Sequence, residues 1–416
     1  MKKNAQITVL AFLLVVALLG VLMRQSAFSG WLPAPYDHLR HAHSHLAFLG
    51  WAWGAMSLGL VEVLTGGRWT PALAVTYALV LAAALSMTAA FWAGGYGAPA
   101  IALLAAHTGL AIVFFIFLGI QIRRWEGVSG IPERRAWKWG STLFIVSSLG
   151  PLLIPVIRSL PVDQLFFYQA AIHFYLHFHY DGWFVLIWLA LWFGLRAQYG
   201  LAIPKRRVGW MAFLLTFGAA LTYGIPYMQY YSPLRTAAVV GGGARVAAAV
   251  LLVLDWRRSG ARQMRQLLPP GAGWALALGI FLFLVKESAQ WMACWPGLER
   301  WFDPSRMGLR VAYLHLLFLG VLTPFLLIFF YAQSWLKATL ATRWGWRVYW
   351  VGFGLTTWYL LADGWQLPPW LRPAPAAMLF TGALLLLIGL GVQLLGWRLR
   401  RRKAEPAQPE FDLSDV

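Results

Sequence analysis

Charged residues are scarce in this chain. They make up 12% of its 416 residues, whereas hydrophobic residues make up 60%. Soluble domains carry about 25% charged residues, so a chain of this composition cannot cover its surface for water. Aromatic residues reach 16%, including 25 Trp, as expected for side chains that anchor at two membrane interfaces. The composition therefore predicts one polytopic membrane domain.

Cysteine is nearly absent, since Cys294 stands alone in the sequence. No disulfide can form within the chain, and no Cys-x-x-Cys-His motif exists for covalent haem attachment. Iron–sulfur clusters and cysteine-based zinc sites are excluded for want of thiolates. Any metal must be held by His, carboxylate, Met or Tyr.

Acidic residues are also few, which leaves a net charge of +19. No basic groove or recognition module is visible, so we predict no nucleic-acid partner. Basic residues of membrane proteins collect in cytoplasmic loops, where they face anionic lipid. The lipid bilayer is the predicted partner of this charge.

Apolar segments of membrane-spanning length predict the fold class, which is all-α with about twelve transmembrane helices. The first could be a cleaved signal peptide, but the long run after Lys2 and Lys3 favours an uncleaved helix. The helices and loops form a single domain, 1–403, followed by a disordered cytoplasmic tail, 404–416. The predicted helices lie near 7–23, 43–64, 71–92, 100–122, 138–158, 165–195, 208–228, 235–254, 273–295, 310–334, 347–366 and 375–397.

The distribution of Lys and Arg predicts the orientation. With the N-terminus in the cytoplasm, basic residues favour the cytoplasmic side by roughly three to one. Both termini should therefore be cytoplasmic, in a membrane of the bacterial inner (cytoplasmic) type. All nine histidines then fall in the outer half of the membrane or just outside it, which predicts a histidine layer toward the outer face.

A histidine motif occurs three times, about one third of the chain apart. It reads His45-x-x-x-x-Gly50-Trp51, then His177-x-x-x-x-Gly182-Trp183, then His315-x-x-x-x-Gly320. The copies begin the second, sixth and tenth predicted helices, which predicts three pseudo-equivalent four-helix repeats. The glycine could permit close helix packing or leave room for a flat macrocycle.

Helical geometry separates these histidines into groups. His41 and His45 are four residues apart and share a face, as do His173 and His177, whereas His177 and His179 are about 200° apart. A single histidine here would most simply be an interfacial residue bonded to a carbonyl or headgroup. Nine at one depth favour metal ligation, because ionisable groups inside a membrane are costly and usually functional.

Other polar residues within predicted helices leave alternatives open. Arg245 could pair with a haem propionate or another anionic ligand, or with Asp or Glu of a neighbouring helix. Lys286-Glu287 could form an ion pair, with each other or across helices, or belong to a proton route.

The stretch His43-x-His45-x-x-x-x-Gly50-Trp51 resembles the start of an early helix in the NnrS family of haem- and copper-containing membrane proteins. His315-x-x-x-x-Gly320, with Arg310 five residues earlier, resembles their later motif. The overall plan is similar to the large subunit of haem-copper oxidases and nitric oxide reductases, with ligands on helices 2, 6, 7 and 10. The resemblance covers the topology of the whole chain but only a short stretch of motif.

The resemblance implies specific roles for these residues. His45 and His315 would be the axial pair of a low-spin, non-covalent b-type haem, and His173 and His177 would bind a second metal centre, copper or haem iron. The further metal-ligand candidates are His43, His107 and His179. The seventh predicted helix has no histidine and the tenth has one, so a complete oxidase-type binuclear centre is not expected.

Two hypotheses of function follow. The first is a haem-binding redox protein, with or without copper, that takes electrons from a quinol or cytochrome and serves electron transfer or the handling of nitric oxide or oxygen. Its cofactor-binding residues would be His45, His177, His315 and Arg245. The second is a transporter of a metal ion or small anion, with the histidines along its path and Arg245 and Lys286-Glu287 as gating groups. The few polar residues toward the cytoplasmic side count against this alternative.

Overall fold

The computed structural model describes residues 2–125, 130–201, 204–229, 231–260, 264, 266–303, 305–371 and 374–395. This part of the chain is helical, and it contains no β-strand. The predicted disordered tail, 404–416, lies outside the described residues. The long helices are α1 (Lys2–Ser29), α2 (Tyr36–Thr65), α3 (Pro71–Gly94), α4 (Ala98–Arg124), α5 (Ile131–Ser159), α6 (Gln164–Gln198), α7 (Lys205–Thr222), α8 (Ser232–Asp255), α9 (Ala272–Met292), α10 (Met307–Ala332), α11 (Thr342–Gly364) and α12 (Pro375–Leu394).

Within the described ranges, eleven helices are apolar and long enough to cross a membrane. The twelfth, α11, has a similar length, but its many Trp, Tyr and Gly residues make it less apolar. The protein is therefore an all-α, multi-pass membrane protein, which confirms the predicted class. Ordinary capping residues bound some of these helices. Asp163 accepts a hydrogen bond from the Phe166 amide at the start of α6, for example, and Gly66 ends α2 with a φ of 64°.

Helices α2, α6 and α10 share an interruption that the sequence did not predict. Each changes from α- to π-helical geometry for seven residues, over Leu46–Ala52, Phe178–Phe184 and Leu316–Leu322. In every case the π-helical segment begins directly after the motif histidine. Such segments widen the helix by one residue and occur often at functional sites. The three motif copies are therefore equivalent in local structure as well as in sequence.

The motif glycines permit close contact with the preceding helix. A Cβ atom on Gly50 would come within 3.0 Å of Phe12 on α1. On Gly182 it would lie 2.7 Å from Leu143 on α5, and on Gly320 it would lie 3.1 Å from Leu282 on α9. Of the two alternatives from the sequence, close helix packing is the one observed. The pairs α1–α2, α5–α6 and α9–α10 are thus built alike.

Aromatic side chains join the three motif helices at their centre. Phe48, Tyr180 and Phe318 each lie three residues after a motif histidine. Their ring centroids are 5.1 Å apart for Phe48–Tyr180, 4.4 Å for Phe48–Phe318 and 5.7 Å for Tyr180–Phe318. Equivalent positions therefore meet around a common axis. The hairpins α3–α4, α7–α8 and α11–α12 pack outside this centre, and α1 packs on α12. The predicted division into three four-helix repeats stays a prediction.

Candidate functional site

Hydrogen bonds fix the ring orientation of most histidines in the layer. One ring N–H of each donates to a carbonyl or hydroxyl oxygen, which defines the tautomer and directs the other nitrogen elsewhere. The donor–acceptor distances run from 2.7 to 3.3 Å, for His43 to Val16, His45 to His41, His107 to Leu49, His173 to Tyr223, His177 to Ala219 and His179 to Ser147.

His43 and His45 face different neighbours of α2. His43 Nδ1 lies 3.0 Å from the Val16 carbonyl oxygen on α1, and a Cβ on Gly20 would touch the His43 ring at 3.4 Å. His45 instead stacks on Phe91 of α3, with ring centroids 4.2 Å apart. Two residues turn an α-helix by about 200°, which explains the divergence. The π-helical segment lies beyond both residues and leaves it intact.

The predicted axial pairing of His45 with His315 stays a prediction. Within the described residues, no hydrogen bond or ring contact joins these two side chains. His315 instead interacts electrostatically with His43 and with Arg24 on α1. Its Nδ1 atom is buried and has no hydrogen-bond partner in the described structure. The histidine of α2 that lies on the same side as His315 is therefore His43.

The nitrogen of His45 that could bind a metal is occupied by a phenol. Tyr96, in the loop between α3 and α4, donates from its hydroxyl to His45 Nε2 across 3.2 Å. Burial raises the pKa of Tyr96 to about 12, so this donor keeps its proton at physiological pH. His45 is thereby held between its own backbone at His41 and Tyr96.

A second buried group contains His107 of α4 and His179 of α6. The His107 Nδ1 and His179 Nε2 atoms are buried without a partner in the described part of the chain. Their side chains are 0% and 2% exposed. His179 interacts electrostatically with His107, and His107 with His45. These three candidates from the sequence thus form one connected group between α2 and α6.

His173 and His177 occupy the opposite face of α6, as their spacing predicted. Their ring centroids are 5.5 Å apart. His177 uses both nitrogens, because Nε2 donates to the Ala219 carbonyl at 2.7 Å and Nδ1 lies 3.3 Å from Asp181 Oδ2. Neither ring nitrogen of His177 is thus left for a metal in this arrangement.

Arg245 pairs with acidic residues of neighbouring helices, which is one of the two alternatives from the sequence. Its guanidinium donates to Glu287 from Nε at 2.6 Å and from Nη2 at 2.8 Å. It also contacts Asp181 Oδ1 at 3.3 Å. Lys286 donates to the same Asp181 oxygen at 2.5 Å and to Glu287 at 3.0 Å. Two cations therefore neutralise two anions in a fully buried cluster.

Two uncharged residues complete this cluster, and sequence reasoning missed both. The Tyr313 hydroxyl donates to Asp181 Oδ1 at 2.7 Å, and the Gln290 amide donates to Asp181 Oδ2 at 3.1 Å. Lys286 also lies 4.8 Å from the centre of the Tyr313 ring. The sequence contained a signal for each of these two residues. Gln290 is one helical turn after Lys286, and Tyr313 is two residues before the motif histidine His315.

Among the described residues, no group of three or more His, Cys, Asp or Glu side chains is arranged to hold one ion. No family model matches the chain, and no curated protein matches it. The resemblance to NnrS and the haem-copper oxidases therefore rests on the quoted residues, and the function is argued from the histidines themselves.

Proposed function

We propose that this protein binds one b-type haem between α2 and α10, with His43 and His315 as axial ligands, and transfers electrons in a bacterial inner membrane. The observation that carries the proposal is the buried Nδ1 of His315, which has no hydrogen-bond partner in the described structure and whose ring interacts electrostatically with His43 of another motif helix. Neutral imidazoles in a low-dielectric interior are good axial ligands, and burial tunes the reduction potential of the iron. The proposal keeps His315 from the sequence prediction and replaces His45 with His43.

The two rings have the free nitrogens that iron requires. His43 donates from Nδ1 to Val16 on α1, which leaves Nε2 as the basic nitrogen. His315 has a buried Nδ1 without a partner in the described structure. A buried nitrogen without a hydrogen bond is unfavourable, and ligation would relieve that cost. The hydrogen bond from His43 to the Val16 carbonyl is also typical of metal ligands, because ligating histidines commonly donate their other N–H to a carbonyl.

Arg24 supplies a positive charge beside this pair. It interacts electrostatically with both His43 and His315. Haem carries two propionate carboxylates, and a nearby guanidinium favours such groups. Arg24 thus takes the role that the sequence suggested for Arg245, whose donors are engaged by Glu287 and Asp181.

The bound haem would supply one-electron chemistry. The chain's own part is to fix the iron through two histidines and to enclose it among apolar helices. If His43 and His315 both held the iron, the site would favour electron transfer over binding of nitric oxide or oxygen at the same iron. A quinol or cytochrome is the proposed donor. We also propose that the twelve helices form three four-helix repeats, with the histidine layer toward the outer face.

The transporter alternative has less support. It requires polar groups that continue from the histidine layer toward the cytoplasmic end. The inner half of α6, residues 185–195, contains apolar side chains and one glycine, and these residues are buried. The buried ion cluster lies beside the layer and is neutralised by its own members.

The test is an absorption spectrum of protein purified after haem-replete expression. We expect a Soret band with low-spin features and about one haem per chain. His43→Ala and His315→Ala should each abolish the low-spin spectrum. His38→Ala, at the same end of α2, should leave it unchanged. A colourless preparation with no metal by elemental analysis would refute the proposal. Loss of the spectrum in His45→Ala but not in His43→Ala would refute the choice of ligand.

A further inference from the structure

A groove runs along the outer hairpin α7–α8, away from the histidines. Its volume is about 420 Å³, which is within the range of small-molecule sites. Arg206 and Trp210 are exposed, whereas the two leucines of the groove are half-buried. The lining residues are Pro204, Arg206, Arg207, Trp210, Leu214 and Leu251.

The character of the groove changes along its length. Arg206, Trp210 and Leu214 are four residues apart, so they lie on one face of α7. Arg206 and Leu214 are about 12 Å apart along the helix axis. Leu251 of α8 supplies the opposite wall, one turn before the end of that helix at Asp255. The groove is therefore cationic at the helix ends, aromatic in the middle and aliphatic toward the interior, and Trp is the side chain that favours the interface between headgroups and hydrocarbon.

The cationic end has positive charge to spare. Asp255 is 1% exposed and accepts hydrogen bonds from Arg207 Nη1 at 2.9 Å and from Arg196. Two guanidiniums thus share one carboxylate, and Arg207 remains 34% exposed. Its other N–H donors have no partner among the described residues, and within the same ranges Arg206 forms no ion pair. Guanidinium donors of this kind bind phosphate strongly, because two of their N–H groups can reach two oxygens.

Contacts at the helix termini show which end of the bundle carries the groove. Lys2, at the start of α1, pairs with Glu62 of α2 at 2.6 Å and lies 5.3 Å from the ring centre of Trp335, just after α10. Gln333 donates to the side chain of Gln198, at the end of α6. Since α7 begins seven residues after α6 ends, the groove lies at the end that holds the start of α1. The charge distribution predicts this end to be cytoplasmic, where the leaflet is rich in anionic lipid.

We propose that the groove binds one phospholipid whose headgroup has a net negative charge. Its phosphate lies on the guanidiniums of Arg206 and Arg207. One acyl chain runs along Trp210 and between Leu214 and Leu251. A soluble anion would use only the first part of the groove, and the excess positive charge disfavours the cation of a zwitterionic headgroup. This site selects one lipid from the surrounding bilayer, and it does not depend on the proposed haem, because it contains no motif residue.

The experiment is native mass spectrometry of the delipidated full-length protein in a neutral detergent, titrated with phosphatidylglycerol or with phosphatidylcholine. The first phosphatidylglycerol should bind about ten times more tightly than the first phosphatidylcholine, and added salt should reduce this preference. Arg206→Ala should weaken the first phosphatidylglycerol about fivefold, and Arg206→Ala with Trp210→Ala about 10- to 30-fold. Arg206→Lys keeps the charge and should lose less than about threefold.

The chain offers a matched control at the same end of the bundle. Arg347 lies over the ring of Trp344 at 4.5 Å, and both side chains are exposed on α11 but do not line the groove. Trp344→Ala with Arg347→Ala should leave the first phosphatidylglycerol unchanged. Thermal unfolding and the affinity for phosphatidylcholine report whether each variant has folded.

A photoactivatable group on the acyl chain of phosphatidylglycerol tests the position of the lipid. Its crosslinks should fall on α7 and α8 around Leu214 and Leu251. The proposal is overturned if the two lipids bind equally, if the α11 control loses as much affinity as the α7 variants, or if the crosslinks fall on other helices. Displacement of the lipid by millimolar glycerol phosphate would identify a soluble-anion site and would overturn it as well.

Discussion

The pairing of Arg245 with Glu287 predicts a large loss of stability when one charge is removed. Glu287→Gln keeps the shape of the side chain but leaves two buried cations, Arg245 and Lys286, against Asp181 alone. At about 4 Å and an effective dielectric constant near 20, one ion pair is worth about 4 kcal/mol. Breaking a buried pair costs about 3–5 kcal/mol in measured cases. We therefore expect Glu287→Gln to lower the free energy of unfolding by about 3–5 kcal/mol.

The chain offers a matched control for this substitution. Glu299 pairs with Arg235 at 2.8 Å, but its side chain is 44% exposed. The same Glu→Gln change there should cost roughly 0.2–1 kcal/mol, because water screens an exposed pair. Both variants can be compared by denaturant titration in detergent, followed by Trp fluorescence. Equal losses at Glu287 and Glu299 would refute the argument from burial.

A second substitution tests whether charge balance is the cause. Lys286→Met combined with Glu287→Gln leaves Arg245 and Asp181 as a neutral pair. The double variant should therefore be more stable than Glu287→Gln alone, even though it loses one more polar group. A double variant less stable than the single one would show that the hydrogen bonds of Lys286, and not the net charge, set the stability.

Three further predictions concern other parts of the chain. Gly308→Ala should destabilise the protein by about 1–3 kcal/mol, because the new Cβ would lie 2.6 Å from the Leu360 carbonyl oxygen. Gly354→Ala has open space around it and should be neutral or stabilising in the same denaturant assay. Burial raises the pKa of the Cys294 thiol to about 11, so iodoacetamide at pH 8 should alkylate it about a hundredfold more slowly in the folded protein than in the unfolded one. Burial raises the pKa of Tyr96 to about 12. The protonated phenol therefore stabilises the folded protein fully below pH 10, and this stabilisation is lost as the pH rises to about 12. Tyr96→Phe should flatten the fall in Tm between pH 10 and about 12.

The helical class and the helix faces could be predicted from the sequence because they depend on local chemistry. Long apolar runs require helices in a bilayer, and 100° per residue separates His177 from His179. The structure agrees, since His177 donates to Ala219 of α7 and His179 to Ser147 of α5. These inferences needed no knowledge of how the helices pack around one another.

The surroundings of the motif histidines could not be predicted in this way. The motif aligns His45 with His177 and His315, and the family resemblance implied that His45 and His315 would face each other. In the structure, however, the aligned side chains point to different neighbouring helices. His45 faces α3 and His177 faces α7. His177 and Tyr313 both contact Asp181, so residues that the motif does not align share one neighbour.

The contacts within the buried ion cluster could not be predicted from the sequence either. Arg245, Lys286 and Glu287 were recognisable as costly charges within helices, but their common acceptor, Asp181, is 64 and 105 residues away from Arg245 and Lys286. Contacts between residues so far apart in the sequence depend on tertiary packing, which the periodicity of the sequence does not reveal. The role of Tyr313 depends on the same packing.

The π-helical segments also divide α2, α6 and α10 into two mechanically different halves. The halves that follow the π-helical segments pack against one another, as where a Cβ on Gly59 would meet both Leu191 and Phe329. The halves that precede these segments carry the histidines and are separated from this packed centre by a wider, less regular turn. Removing one residue from such a turn would restore an α-helix and rotate the histidine-bearing half by about 100°. The register of each ligand is thus adjustable by a single deletion or insertion, while the packed centre beneath it stays unchanged.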